Sequence, residues 1–402
     1  MKRVVVTGIG VVSPVGNTRE KFWSSLVEAK SGIGPIVNIP TERLTTRIAA
    51  QVHDFEPAQH FDKKREGLLD RFSQFAVVAA RAAVRDAQLE LTDEIALQTA
   101  TIVGNAAGGQ NTVDDSYLKF YGRNSHHLHP LTIPRWMVNA APSQVSMDLG
   151  IKGPTYAISS ACASGTHAIG QAFEMVRMGQ APVALAGGTE ASLTAGSIRC
   201  WEALRVLSSD NCRPFSKTRS GLVLGEGAAM FVLETRERAT ARGAQIYAEL
   251  LGFGMSADAD DITAMDPDGA ARAMRAALTG AKVNPEDIAY VNAHGTGTHL
   301  NDKGETVALR KTFGASAERL AVSSSKAVLG HSLGAAGALE FAATALALHN
   351  QTIPPTANFE EADSDCDLDF VPNTARNAPI EKALSSSFAF GGLNAVLVLG
   401  RA

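Results

Sequence analysis

The chain has 402 residues, 45% hydrophobic and 19% charged, a balance that supports a large buried core in two closely joined domains. A net charge of -4 and a pI near 6.2 supply no global basic field, which argues against nucleic acid or an anionic membrane surface as the main partner. The four cysteines, Cys162, Cys200, Cys212 and Cys366, form no CxxC pair and no secreted-type framework. No leader pattern precedes the first strand and no apolar run spans a bilayer, so the expected setting is cytoplasmic, without an integral membrane segment.

In chain order, Val4 to Gly10 reads as an apolar strand ending in small residues. The run Gly8-Ile9-Gly10-Val11-Val12-Ser13 lacks the third glycine of the dinucleotide fingerprint, so no nucleotide is expected. Phe75 to Ala87 is an alanine-rich helix and Thr101 to Ala106 a second strand. The clustered histidines His126, His127 and His129 have no carboxylate or cysteine partner at ligand spacing, so the segment reads as a solvated loop and no metal is expected. Tyr156 to Gly165 is a strand meeting a small-residue turn, followed by Ala168, Ile169, Ala172, Phe173 and Val176 at helical spacing. Cys162 falls at the positive end of that helix, a position that favours thiolate. A lone cysteine is more often an inert buried residue, so local sequence leaves both roles open. His167, on the same helix, reads as a packing residue.

Four glycine-punctuated segments of the first half recur in the second. Val4 to Gly10 matches Ala248 to Gly254, Thr101 to Ala106 matches Ala289 to His294, and Ile158 to Cys162 matches Val322 to Lys326. The fourth pair sets Ala184 to Ala191 beside Phe388 to Ala395. The expected fold is therefore α/β, with pseudo-symmetric duplicated halves at 1–245 and 246–402, layered sheets and buried helices between them. Ligands of open α/β sheets gather beyond the carboxyl ends of strands, which is where Cys162, His294, Lys326 and the Phe390 loop lie.

His294 enters a Gly-Thr-Gly-Thr loop that leaves an imidazole free to donate to an oxyanion, although a structural histidine is the commoner outcome. Lys326 and His331 bracket a turn into the alanine-rich stretch Ala335 to Leu348. A neighbouring cation disfavours imidazolium, so His331 is expected neutral, a donor without a full charge. Glu305, downstream of His294, is the expected acid to neutralise Lys326.

Cys162-Ala163-Ser164-Gly165, Ala293-His294-Gly295-Thr296-Gly297-Thr298, Lys326 with Gly330-His331, and Phe390-Gly391-Gly392 together resemble the β-ketoacyl-acyl-carrier-protein synthases of the elongating type I/II class. The resemblance covers essentially the whole chain. Trp201-Glu202-Ala203-Leu204-Arg205 and Asn301-Asp302-Lys303-Gly304-Glu305-Thr306 look closest to the synthase II branch that includes nodulation protein E. It implies the thiolase fold, with αβαβα layers, and a homodimer. It further implies a decarboxylative Claisen condensation in fatty-acid elongation, in which Cys162 accepts an acyl group and His294 and His331 stabilise the enolate of malonyl-carrier. By the same resemblance, Cys162 and Phe390 N–H groups form the oxyanion hole, Lys326 with Glu305 orients the site, and Thr296, Thr298, Ala107 and Phe388 contact substrate. No bound cofactor is implied, since the acyl-carrier protein supplies phosphopantetheine.

Two departures stand out: Ala389 restricts the backbone of the Phe390 gate, and Ala107 replaces a bulky pocket residue and is expected to deepen the acyl pocket. An acidic carrier would be steered by a basic rim, with Lys63, Lys64, Arg65, Arg71 and Arg205 as candidates. Three alternatives compete. A coenzyme A thiolase would want a second cysteine where Phe390-Gly391-Gly392 stands. A non-catalytic chain-length partner would lack the nucleophile, and a specialised lipid or polyketide ketosynthase would keep the same chemistry.

Overall fold

The computed structural model describes every residue except Asn38. Ten strands form one mixed sheet: β1 (Val4–Val12), β2 (Thr99–Gly104), β3 (Thr155–Ile158), β4 (Val183–Glu190), β5 (Gly227–Thr235), β6 (Ala248–Ala257), β7 (Tyr290–Asn292), β8 (Ala321–Ser323), β9 (Lys382–Ala389) and β10 (Leu393–Gly400). Their order is β8-β7-β9-β10-β6-β1-β5-β4-β2-β3. Read from either edge, the pairing repeats: two parallel contacts, then antiparallel ones towards the middle. Within the sheet the halves join through Val4, Val5 and Val6 of β1 against Leu250, Glu249 and Ala248 of β6.

Helices fill both faces, which is why the strands read as continuous apolar runs rather than alternating ones. α1 (Arg71–Asp86) packs on β1 and β5, and α3 (Pro267–Ala281) on β6 and β10. Between the halves lie α2 (Ser164–Arg177) and α5 (Ala336–Asn350), and every residue of α5 from Ala336 to Leu348 is buried. Side chains alternate accordingly. Leu185, Met230 and Val232 face the α1 side, whereas Ala186, Phe231 and Leu233 join Phe173 and Phe341 in the central layer. This is the αβαβα layering that the resemblance implies.

Gly8 and Gly10 on β1 show why the repeated glycines matter, since a Cβ at either would come within 2.2 and 2.0 Å of the Ala83 and Ala79 carbonyls of α1. Gly252 and Gly254 on β6 stand in the same relation to Ala277 and Ala273 of α3. Three of the four expected repeats therefore correspond strand for strand. The fourth needs a correction of register. By position in the sheet, the counterpart of β4 is β9, not Phe388 to Ala395, because Gly187 and Gly188 lie within β4 whereas Gly391 and Gly392 form a turn at φ +82° and +68°. Glu190 thus matches the end of β9, beside Ala389 and Phe390.

Candidate active site

The carboxyl ends of these strands open on a 460 Å³ cavity lined by Cys162, His294, His331, Thr296, Thr298, Phe388, Ala389, Phe390, Trp201 and Arg205, among others. Cys162 follows β3 through Ala161, which is held in the left-handed region at φ +48°. Ser164 fixes that turn: its hydroxyl donates to the Ala161 carbonyl at 2.7 Å and accepts from the Ser160 N–H at 2.9 Å. A strained residue just before a nucleophile aims the side chain away from the strand and into the cleft.

Burial pushes the Cys162 thiol up to about 12, against the pull of the Lys326 charge and of the Phe390 N–H hydrogen-bonded to it. Burial thus opposes the thiolate that the N-terminus of α2 would favour. The sulfur precedes the first residue of α2 by two positions and is only 6% exposed.

His294 and His331 are buried with rings 5.4 Å apart and nearly perpendicular. Burial, reinforced by Lys326, holds both well below the usual histidine range, so both are neutral. Their tautomers follow from their neighbours. The Lys326 ammonium, which has no lone pair, donates to Nδ1 of His294 at 3.2 Å, and the Leu333 N–H donates to Nδ1 of His331 at 3.3 Å. Each ring therefore carries its proton on Nε2, as a donor.

Lys326 also donates to the His294 carbonyl at 2.5 Å and forms a buried ion pair with Glu340 of α5. This corrects the expected partner, Glu305. Glu305 belongs to α4 (His299–Phe313) and spends its oxygens on the backbone, accepting from the His294 N–H at 2.8 Å and the Gly295 N–H at 2.7 Å. Asp302, one turn earlier, takes the next two N–H groups, of Thr296 and Gly297, at 3.1 and 3.2 Å. Two carboxylates at helical spacing thus cradle four successive amides and fix the His294 loop. Burial raises Glu305 and Glu340 to about 7.

Thr296 and Thr298 face each other, hydroxyl to hydroxyl at 2.9 Å, and Thr298 also caps α4. Phe388 meets the edge of His294 at 6.0 Å. Phe390 stacks on Trp201, centroids 5.8 Å apart, while the Gly391 N–H donates to the Ile262 carbonyl at 2.8 Å.

The remaining expected residues are distributed differently. Ala107 does not line the cavity of a single chain, although its neighbour Ala106 packs in the same apolar cluster as Cys162, Leu193 and Leu333. Lys63 and Lys64 are exposed on a short helix away from the cavity lining, and Arg65 reaches the Gln144 carbonyl at 3.4 Å. Arg71 is not a free docking cation: it makes a bidentate pair with the buried Glu226 at 2.8 and 3.0 Å and also donates to Val52. Arg205 is exposed at the cavity mouth. His126, His127 and His129 are exposed, and His167 is held by Ser160 and Ala163.

Sequence reading missed Asp302 and Trp201 as site residues, and it read Glu340, on the inward-facing alanine-rich helix, as a holder of a structural cation rather than as the partner of Lys326. A lone acid in an otherwise apolar helix, and a D-x-x-E pair after a glycine loop, were the available signals.

Residues 1–239 match the family described as Beta-ketoacyl synthase, N-terminal domain, and residues 247–360 its C-terminal domain. The chain belongs to the beta-ketoacyl synthase family. It is 45% identical over 396 residues to nodulation protein E of Rhizobium sp. (strain N33), covering 98% of each chain. It is 43% identical over 404 residues to 3-oxoacyl-[acyl-carrier-protein] synthase 2 of Staphylococcus aureus (strain N315), covering 99% of this chain and 98% of that one. Among solved structures, the ishigamide ketosynthase/chain length factor superposes with a TM-score of 0.95 at 37% identity, over 100% of this chain and 99% of that one.

Proposed function

We propose that the chain is a β-ketoacyl-[acyl-carrier-protein] synthase, condensing an acyl group held on Cys162 with malonyl-acyl-carrier protein in fatty-acid elongation. The observation that carries this reading is the pair of neutral Nε2–H donors, His294 and His331, lining one buried cavity with Cys162. In the first stage the Cys162 sulfur attacks the acyl thioester, and the thiol proton leaves with the carrier thiol. In the second, malonyl-carrier loses carbon dioxide, and the electron pair left behind delocalises into the thioester oxygen between the two imidazoles. A well-aimed donor in a dry site contributes about 3–4 kcal/mol to such a step. The carbanion then attacks the Cys162 thioester. The tetrahedral oxyanion takes the Cys162 and Phe390 N–H groups, and its collapse releases β-ketoacyl-carrier and the sulfur, which recovers a proton.

The phosphopantetheine arm is read as entering past Arg205, Thr296 and Thr298. Leu204, Ile262 and Leu300 are 47%, 74% and 70% exposed, an apolar rim suited to a carrier, with Lys63, Lys64 and Arg65 as the more distant basic contribution. The chain is further read as halves 1–245 and 246–402, cytoplasmic, and paired as a homodimer. No helix among the described residues is long and apolar enough to cross a membrane. The homodimer is supported by the free edge of β3, where Tyr156 is 38% exposed, and by exposed Tyr117, Leu118, Tyr121 and Ile133 in one segment. Such a partner would complete the acyl pocket around Ala107, and Ala107→Ile should then shorten the chains accepted.

A second reading keeps the reaction and assigns it to specialised lipid or polyketide assembly, as the similarity to nodulation protein E favours. A panel of acyl-carriers, scored by β-ketoacyl product, separates the two: broad turnover of straight saturated chains supports elongation, and rejection of all of them supports the specialised role.

A further inference from the structure

Glu190 ends β4, fully buried, and has no part in the chemistry described above. Its Oε2 accepts from the Ala106 N–H at 2.7 Å and the Gly334 N–H at 3.2 Å, and its Oε1 accepts from the Ser192 hydroxyl at 2.6 Å. One oxygen therefore joins the loop that follows β2 to the turn that follows His331. That turn is crowded and strained. Leu333 is left-handed at φ +47°, and a Cβ on Gly334 would come within 2.3 Å of the Ala106 nitrogen. Leu333 is also the residue whose N–H sets the tautomer of His331.

A left-handed leucine persists only where its surroundings over-determine it. Here the amide of the next residue is anchored by a carboxylate from the carboxyl end of β4. We propose that Glu190 is a positioning residue for His331: it holds the Leu333–Gly334 turn against Ala106, so that the Leu333 N–H keeps the His331 proton on Nε2. Loss of the acceptor frees Gly334, lets Leu333 relax, and leaves His331 able to rotate or exchange tautomers. Acyl capture depends on Cys162 and the Phe390 N–H; Glu190 hydrogen-bonds neither, and its charge bears on the sulfur only by raising the thiol, so its removal should not slow capture. The effect is confined to the malonyl half-reaction.

The inference rests on the condensing function proposed above. The test uses the full-length chain and measures two half-reactions: acyl capture on Cys162 by intact mass, and carbon dioxide release from malonyl-carrier by the acyl-loaded protein. Glu190→Met removes both acceptors at similar size and should lower carbon dioxide release by about 100-fold, with acyl capture slowed by no more than about twofold. Glu190→Gln, whose carbonyl can still accept from Ala106 and Gly334 while its amide donates to Ser192, should restore release to within about fivefold. Gly334→Ala, which pushes the turn off Ala106 with Glu190 intact, should repeat the selective loss and serves if the Met variant does not fold. Unchanged release in both Glu190→Met and Gly334→Ala, parallel loss of the two half-reactions, or a Gln variant as impaired as Met would overturn the role of Glu190. Wild-type protein that captures no acyl group and releases no carbon dioxide would overturn the condensing function itself.

Discussion

Lys326 donates to Nδ1 of His294 across 3.2 Å while its charge is balanced on the other side by Glu340, not by Glu305. One ammonium thereby fixes a tautomer, adds to the burial that keeps two imidazoles neutral, and balances the charge of Glu340 on α5. Removing it has separable consequences. Lys326→Met should cost about 3–5 kcal/mol of stability, because Glu340 is left buried without its partner. The double variant Lys326→Met, Glu340→Met should regain most of that loss in denaturant unfolding and remain inactive, since His294 has lost its donor. Recovery of condensation in the double variant would contradict the tautomer role.

The pH dependence follows from the shifts at the site. Both histidines lie well below the ordinary range, so neither should acquire a proton as pH falls through 6.5, and a fall in carbon dioxide release by the acyl-loaded protein between about pH 7.5 and 6.5 is assigned to Glu305 and Glu340, which burial raises to about 7, and should shrink in Glu305→Gln. Cys162, raised to about 12, should react with iodoacetamide about tenfold faster for each unit of pH between 7 and 10, because only the thiolate attacks. A plateau in alkylation near pH 7, or an acid limb centred on 6.5 that persists unchanged in Glu305→Gln, would show that these groups are poised differently.

Trp201 stacks on Phe390, and Phe390 lies in the same cavity as the sulfur. An aromatic pair of this kind contributes about 0.5–1.5 kcal/mol beyond simple burial. Trp201→Leu should loosen the Phe390 loop and raise the rate of acyl capture severalfold at constant Gly391–Ile262 anchoring. Stopped-flow acylation checks it, and a slower or unaltered rate would mean that the stack does not hold the gate.

Arg71 and the lysines of the preceding short helix should behave oppositely. Arg71→Ala strands the buried Glu226 and should destabilise the protein by about 3–5 kcal/mol without changing the salt dependence of carrier binding. Charge reversal at Lys63 and Lys64 should leave the unfolding curve in place and weaken binding most at low salt.

Much of the fold was legible because duplication leaves a periodic signature. Gly8 and Gly10 recur as Gly252 and Gly254 since each pair must admit a helix carbonyl, and that constraint survives in sequence. The fourth repeat was misregistered because a Gly-Gly pair inside β4 looks the same in sequence as a Gly-Gly turn after β9. In the site, sequence placed Cys162, His294, Lys326 and His331 at strand-end loops, and the family resemblance rather than the loops themselves gave their roles. The partner of Lys326 was not. Glu340 is the nearer acid in the chain, 14 residues from Lys326, but which face of the alanine-rich helix α5 turns to the lysine is decided by packing against the sheet, and sequence does not carry that. Arg71 misled for a similar reason, since a basic run, Lys63 to Arg65, lies shortly before it in sequence while its partner in space is Glu226.

The central claim is that Cys162 carries the acyl chain while His294 and His331 handle the malonyl unit. Intact-mass measurement on wild type, Cys162→Ser and His294→Ala, with acyl-carrier first and malonyl-carrier second, tests it most directly. Wild type should gain one acyl mass on Cys162 and lose it as β-ketoacyl-carrier appears. His294→Ala should gain the acyl mass and keep it, and Cys162→Ser should gain none. Product formation without an adduct on Cys162, or an adduct that His294→Ala discharges at the wild-type rate, would contradict the account.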